Sequence, residues 1–262
     1  MQNLIVNCQL SIVNLKKKIM KKLLFIVTLF LFVACDDGDI EEKYTFLQEG
    51  LKVAVDATIS GVDSWPDGYS VTLSGFVNET NSKDDIAEYS EISKQIISDG
   101  NGKIHVTLGG ISQTVNYLEI TVLNRIRQRV LTICQKKLTD EEKNSTDTIR
   151  WDAGEVRAGM YSFIQDNYFT PKCSKCHGQS ADKAAAGLFL TEGKSYNAIV
   201  GVQSSKRSDF NIVTPGDTAR SVIHKILRGE FPEVKHNHTD KLDLESDKDW
   251  IDQWILNGAK AD

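Results

Sequence analysis

The sequence predicts a multidomain protein in which an N-terminal all-β sandwich of immunoglobulin-like type is followed by an all-α domain. Three observations support this fold class. Apolar and polar residues alternate in short runs through residues 44–137, a polar stretch interrupts the alternation at residues 138–150, and apolar residues at spacings of three and four appear within residues 151–262. Alternation is typical of half-buried strands and the longer period of amphipathic helices, so we place a linker between two domains in the polar stretch.

Residues 1–34 have the pattern of a secretory leader. Met20, the expected start of translation, is followed by two lysines and an apolar run at residues 23–33, which is short for a membrane span and typical of a signal peptide. The run ends at Cys35 in a pattern that resembles the lipobox of bacterial lipoproteins. The resemblance implies that a lipidated Cys35 anchors the chain to a bacterial membrane, on the periplasmic or cell-surface side of the cell envelope. An uncleaved N-terminal helix is the alternative.

A flexible acidic tether is predicted at residues 35–43, which contain five acidic residues and almost nothing that a core could bury. The whole chain has a formal charge of −5. Because the leader contains five lysines and no acid, the remaining 26 basic and 36 acidic residues give −10. A protein this acidic repels phosphate backbones, so we expect no nucleic-acid partner, whereas a basic protein partner would be attracted.

The first folded region is predicted to contain six short strands separated by turn signals. Runs of this number and spacing are typical of an antiparallel β-sandwich. His105 alternates with apolar neighbours and is expected to face solvent, and Cys134 closes an apolar run as a buried structural thiol. The region contains no catalytic constellation and is interpreted as a spacer or an interaction module. The predicted strands are residues 53–59, 69–77, 92–97, 103–108, 117–124 and 130–134.

The chemistry is predicted to lie at Cys173, Cys176 and His177, which follow a helix predicted over residues 155–168. Cys-x-x-Cys-His is the attachment signature of c-type haem: the two thiols form thioethers with one porphyrin and the histidine ligates its iron. A thioredoxin-like disulfide would call for a βαβ context instead. A zinc site built from both cysteines and two of the three histidines His177, His236 and His238 is chemically sound and stays open as an alternative.

Several short segments follow the motif in a recognisable order, at residues 186–190, 214–217, 221–223 and 254–259. Together with the motif they make residues 156–259 resemble a small mono-haem cytochrome c domain of the bacterial exported type. The resemblance implies a mainly α-helical fold around one covalent haem c, with the first and last helices crossing. An apolar stripe that includes Trp250 and Trp254 is suited to pack against that first helix, where Gly159 permits close approach.

The second axial ligand is predicted to be a histidine. The family's usual methionine ligand precedes the last helix, but no methionine follows Cys176 in this chain. The corresponding stretch holds His236 and His238, so we expect a bis-histidine haem of lowered potential, with the spacing from Trp254 slightly favouring His236. An open or water-bound iron is the alternative. His224 lies in an apolar run and is expected to be a packed histidine.

These observations favour a membrane-anchored electron carrier with one covalent haem, a redox protein as its partner and no enzyme activity of its own. Two other function classes stay open at this point. One is a zinc-stabilised binding module of the cell envelope. The other is a haem sensor or peroxidase, which needs an open coordination position on the iron.

Overall fold

Two β-sheets make up most of the structure. The computed structural model describes residues 50–80, 88–178 and 184–262, so the predicted leader, the Cys35 anchor and the acidic tether lie outside the described residues. Residues 48–262 belong to one compact unit. The strands in the described ranges are β1 Leu51–Ser60, β2 Tyr69–Phe76, β3 Ile92–Gln95, β4 Lys103–Ile111, β5 Tyr117–Asn124, β6 Arg129–Lys137 and β7 Ile149–Arg157.

The first six strands lie where the alternation of the sequence predicted them. Four of these strands form one sheet in the order β3-β2-β5-β6. The other two, β1 and β4, belong to a second sheet in the order β4-β1-β7. Side chains at alternate positions of β1 and β4 are buried, including Val53, Val55 and Val106, because one face of each strand packs on the core. Residues of both sheets contribute to one hydrophobic core.

The prediction of an all-α domain beginning at residue 151 is wrong. Ile149–Arg157 is the seventh strand, and it pairs in parallel with β1 from Val53 opposite Ile149 to Ser60 opposite Arg157. The backbone groups of β7 that face β1 pair with it, and Ile149 and Val156 near the two ends of β7 are buried in the core. The spacing of apolar residues predicts that Val156 lies on a helix face, but strand pairing with β1 decides its structure. Tertiary contacts outweigh the local spacing of apolar residues.

The remainder of the C-terminal region contains short helices separated by long irregular segments. Because these helices are few and short, the two sheets are the main regular structure of the described residues. Isolated bridges such as Val200 with Val213 connect these segments. None of the helices in the described ranges is long and apolar enough to span a membrane. The helices are α1 Asp140–Lys143, α2 Met160–Ile164, a π-helix Gln165–Cys173, a 3₁₀ turn Ala185–Gly187, α3 Ser195–Ile199, α4 Val222–Arg228 and α5 Glu245–Leu256.

The C-terminal region is fixed to the sandwich where β7 ends and α2 begins. The Trp65 indole donates to the carbonyl of Ala158 at 2.7 Å, and the Ser64 hydroxyl accepts from the backbone of Met160 at 2.7 Å. Trp65 also contacts the rings of Phe163 and Trp250. The predicted packing of the last helix on the helix before the motif is therefore present, although the fold around it is not all-α.

Candidate haem site

The motif cysteines and histidine occupy one tight turn at the end of the π-helix. The Ser174 N–H donates to the carbonyl of Phe169 at 2.8 Å, a five-residue step, and Pro171 within the same helix has no N–H to donate. The Cys173 carbonyl then accepts from the N–H groups of Cys176 and His177 at 3.2 and 3.0 Å. π-Helical segments are rare and often occur at functional sites, and the turn at the end of this one brings the three residues of the motif together.

A second segment, residues 184–190, clamps this turn through the backbone. The Ala185 N–H donates to the carbonyl of Cys176 at 2.8 Å, and the Leu190 N–H donates to the carbonyl of His177 at 2.7 Å. Ala186 adopts a left-handed φ of 58°, which is uncommon for a residue with a side chain and tightens the turn. The main chain around His177 is therefore held from two sides.

The same clamp orients the His177 imidazole. Its Nδ1 lies 3.0 Å from the Ala185 carbonyl oxygen, and a carbonyl can only accept a hydrogen bond, so Nδ1 carries the proton. In this tautomer Nε2 keeps its lone pair and is the nitrogen available to a metal. A backbone carbonyl on the far nitrogen is the usual support of a metal-ligating histidine.

The His238 imidazole has the same tautomer as that of His177 and faces it. Its Nδ1 lies 2.9 Å from the His236 carbonyl oxygen, which leaves Nε2 free. Burial lowers the pKa of His238, against the raising effect of this hydrogen bond, and the nearby His236 and His177 lower it further. The lowered pKa favours the neutral ring, which is the form that ligates metals. The ring centres of His177 and His238 are 6.1 Å apart, with planes inclined by 24°.

His236 has a different position. It is exposed, and its ring stands edge-on to His238 with centres 5.0 Å apart and planes at 85°. The ring that faces His177 is thus that of His238, whereas spacing along the sequence slightly favoured His236. The choice between the two histidines depends on how the loop folds.

The residues around this turn fit a haem. The thiols of Cys173 and Cys176 would hold its porphyrin, and the imidazoles of His177 and His238, whose ring centres lie 6.1 Å apart, have the tautomer that would ligate its iron. A cavity of about 220 Å³ adjoins His238 and is walled on its apolar side by Phe231, Pro232 and Val234.

The two cysteines of the motif differ in burial. Cys176 is exposed, whereas Cys173 is half-buried. Burial raises the pKa of the Cys173 thiol to about 11, against the lowering effect of Lys172, so this sulfur stays protonated at neutral pH. The third described cysteine, Cys134, lies in strand β6, and burial likewise raises its pKa to about 11. This half-buried position agrees with a structural role for Cys134.

The other histidines and the zinc alternative can be placed as well. His105 is exposed and pairs with Asp56 at 2.7 Å, and His224 pairs with Asp252 at 2.7 Å. Across residues 50–80, 88–178 and 184–262, no group of three or more His, Cys, Asp or Glu side chains is arranged to hold a metal ion. The four-ligand zinc site that the sequence allowed is therefore not formed by the side chains as they lie.

Sequence reasoning missed the role of the Ala185 carbonyl in orienting His177. The resemblance draws only on residues 186–190, which begin just after Ala185, and a backbone carbonyl carries no side-chain signal. Neither a family model, nor a curated protein, nor a solved structure matches the chain. The assignment of this site therefore rests on the motif and its geometry.

Proposed function

We propose that this protein is an exported c-type haem protein that carries single electrons between redox partners at the cell envelope. Cys173 and Cys176 would hold one haem covalently, His177 and His238 would ligate its iron, and Cys35 would be the lipid anchor. The observation that supports this best is the pair of facing imidazoles, 6.1 Å apart, each with Nδ1 on a backbone carbonyl. The proposal does not require an all-α cytochrome fold.

When bound, the haem supplies an iron that alternates between the ferrous and ferric states. The chain's own residues do the rest. The two thiols fix the porphyrin in place, and the carbonyls of Ala185 and His236 hold the imidazoles in the tautomer that ligates. Because two histidines raise the potential less than a histidine and a methionine do, we expect a low-potential carrier. No substrate is transformed, and no catalytic residue is assigned.

Covalent haem attachment is tested by visible absorption and a pyridine haemochrome assay. The whole chain with its own leader is co-expressed with a haem-attachment system, because strand β7 and the contacts of Trp65 tie the motif region to the sandwich. We expect a c-type spectrum that is lost in the Cys173→Ala plus Cys176→Ala variant and kept in the matched control Cys134→Ala. A folded, colourless wild-type protein that contains zinc would contradict the proposal.

The second ligand is tested by comparing His238→Ala with His236→Ala. Loss of His238 is expected to convert a low-spin, six-coordinate spectrum into a high-spin one that binds carbon monoxide, whereas loss of His236 leaves the spectrum low-spin. His238→Met is expected to raise the midpoint potential, as a methionine ligand does. If His236→Ala alone opened the iron, the assignment of His238 would be wrong. If the wild-type iron already bound carbon monoxide, the sensor or peroxidase alternative would be favoured.

A further inference from the structure

A second pocket lies at one end of the sandwich, where two turns meet. One turn joins the segment after β1 to β2, and the other connects β5 to β6. The pocket has a volume of about 300 Å³ and is open to solvent, which is at the lower end of the range for small-ligand sites. Its walls are formed by Asp67, Gly68, Tyr69, Asn124, Arg125 and Ile126.

Three polar side chains in this pocket lack partners. Among the described residues, the Asp67 carboxylate, the Tyr69 hydroxyl and the Arg125 guanidinium make no side-chain hydrogen bond and no ion pair. Arg125 lies across Gly68, where a Cβ would come within 2.7 Å of its Nε. The backbone under Arg125 is fixed, since the Asn124 side chain accepts from the N–H groups of Ile126 and Gln128. The pocket thus offers three polar groups that have no partner among the described residues, with the Asp67 and Arg125 side chains exposed to solvent.

Aromatic and apolar surface lies beside these polar groups. The half-buried rings of Tyr69 and Trp250 have centres 5.6 Å apart and an interplanar angle of 64°. Ile126 leaves 60% of its surface exposed at the rim. A few convergent polar groups next to aromatic surface are the usual make-up of a ligand site, and Tyr and Trp combine a large apolar area with a polar tip.

We infer that this pocket binds a neutral saccharide unit, independently of the haem proposed above. The carboxylate and the guanidinium of the pocket carry opposite charges. Asp67 would therefore repel an anionic ligand and Arg125 a cationic one, whereas neither group repels a neutral polyol. Both groups are planar and can each bond two neighbouring hydroxyls. The C–H face of a sugar ring suits the apolar surface that Tyr69 and Ile126 contribute to the pocket wall. The open form of the pocket fits one or two units of a longer glycan.

The inference is tested by isothermal titration calorimetry of the whole chain against maltohexaose, cellohexaose, chitohexaose and a mannohexaose. We expect at least one oligosaccharide to bind in the micromolar to millimolar range. Asp67→Asn and Arg125→Lys, which keep size and fold, should each weaken binding about tenfold or more, and Tyr69→Phe about threefold. The matched controls Asp147→Asn and Arg150→Lys change exposed side chains outside the pocket and should leave the affinity unchanged.

Each other outcome overturns the inference. Absence of binding by all four oligosaccharides would mean that the pocket does not take neutral sugars. Binding that the three pocket variants leave unchanged would place the sugar elsewhere. Binding of an acidic or basic tripeptide in preference to every oligosaccharide would assign the pocket to a charged ligand. The Cys173→Ala plus Cys176→Ala variant should bind sugar as the wild type does, which separates this inference from the haem proposal.

Discussion

The sandwich and the motif region differ in how their backbones are fixed. In the sandwich, strand ladders satisfy the main chain and residues such as Leu73 and Ile120 are fully buried between sheets. In the region after β7, the main chain is hydrogen-bonded within short helices, in isolated bridges and by single hydrogen bonds. The comparison indicates that the sandwich supplies rigidity while irregular segments place the chemical groups, a common division between scaffold and functional loops.

The two regions nevertheless depend on each other. Trp65 of the sandwich packs against Phe163 and Trp250 of the motif region, and the Asn257 amide donates to the Ser64 carbonyl at 2.8 Å. A shared core of this kind predicts one cooperative unfolding transition for both regions. The following predictions test how far that dependence extends.

The largest effect is expected for Trp254→Ala. This side chain is fully buried, and its ring lies 5.1 Å from Tyr161 and 6.5 Å from Tyr196. Removing it should lower the free energy of unfolding by about 3–5 kcal/mol, measured by urea denaturation followed by circular dichroism. Leu256→Ala on the same helix is the matched control, because its side chain is 60% exposed, and it should change stability by less than about 0.5 kcal/mol.

The number of unfolding transitions of the Trp254→Ala variant shows whether the sandwich and the motif region unfold together. If both regions form one unit, the Trp254→Ala variant shows a single transition at lower urea concentration, with the strand signal and the haem band that the proposed function predicts changing together. Two separate transitions, with the strand signal unaffected by the substitution, would show that the motif region unfolds by itself.

A comparable loss is expected for Glu119→Ala inside the sandwich. Glu119 is fully buried and bonds Arg129 at 2.9 and 3.1 Å. Without Glu119, a largely buried guanidinium keeps only its bonds to the backbone and to the half-buried Glu88. Breaking a buried pair by removing one partner costs about 3–5 kcal/mol, which a thermal unfolding scan would detect.

The control for this variant is Glu88→Ala, which removes the more exposed partner of the same arginine. Its ion pair with Arg129 is 3.3 Å long and lies nearer the surface, so the expected loss is about 1 kcal/mol or less. Equal losses for the two variants would contradict the view that the sandwich interior depends on the buried member of the pair.

Alkaline pH is expected to destabilise the sandwich through Cys134. Burial raises the pKa of this thiol from 9.0 to about 11, so between these values the unfolded chain has lost the proton while the folded chain keeps it. Stability contributed by the protonated thiol is therefore complete below pH 9 and is lost as the pH rises towards 11. Cys134→Ala should flatten this part of the stability profile, measured in the Cys173→Ala plus Cys176→Ala background, in which neither motif thiol is present to titrate. An unchanged profile would contradict the assignment.

The smallest effect is expected for Asp262→Ala. The Asp262 carboxylate accepts from the N–H groups of Tyr161 and Ser162 at 3.2 and 2.6 Å and so caps the helix that precedes the motif. Loss of such a cap costs about 1 kcal/mol, measured by urea denaturation. Asp240→Ala is the control, because this exposed carboxylate pairs with the neighbouring Lys241 side chain, and it should leave stability nearly unchanged.

The sequence by itself determined the features that depend on near neighbours. Alternation over a few residues located the first six strands, since each strand's pattern, such as residues 103–108 within β4, is set by its own two faces. The spacing from Cys173 to His177 predicts haem attachment, which stays a prediction, and Trp250 and Trp254 were recognised as packing residues because helical spacing is equally local.

The tertiary structure decided the features that depend on distant partners. Residues 149–157 form a strand because β1, far earlier in the chain, offers its edge in parallel register, and no pattern within those residues specifies that partner. His238 faces His177 through the path of a loop, and Asp67 meets Arg125 in one pocket because β2 pairs with β5. Local patterns encode which face of a segment is buried, but only the folded chain determines which segments meet, since that choice is made by the whole core at once.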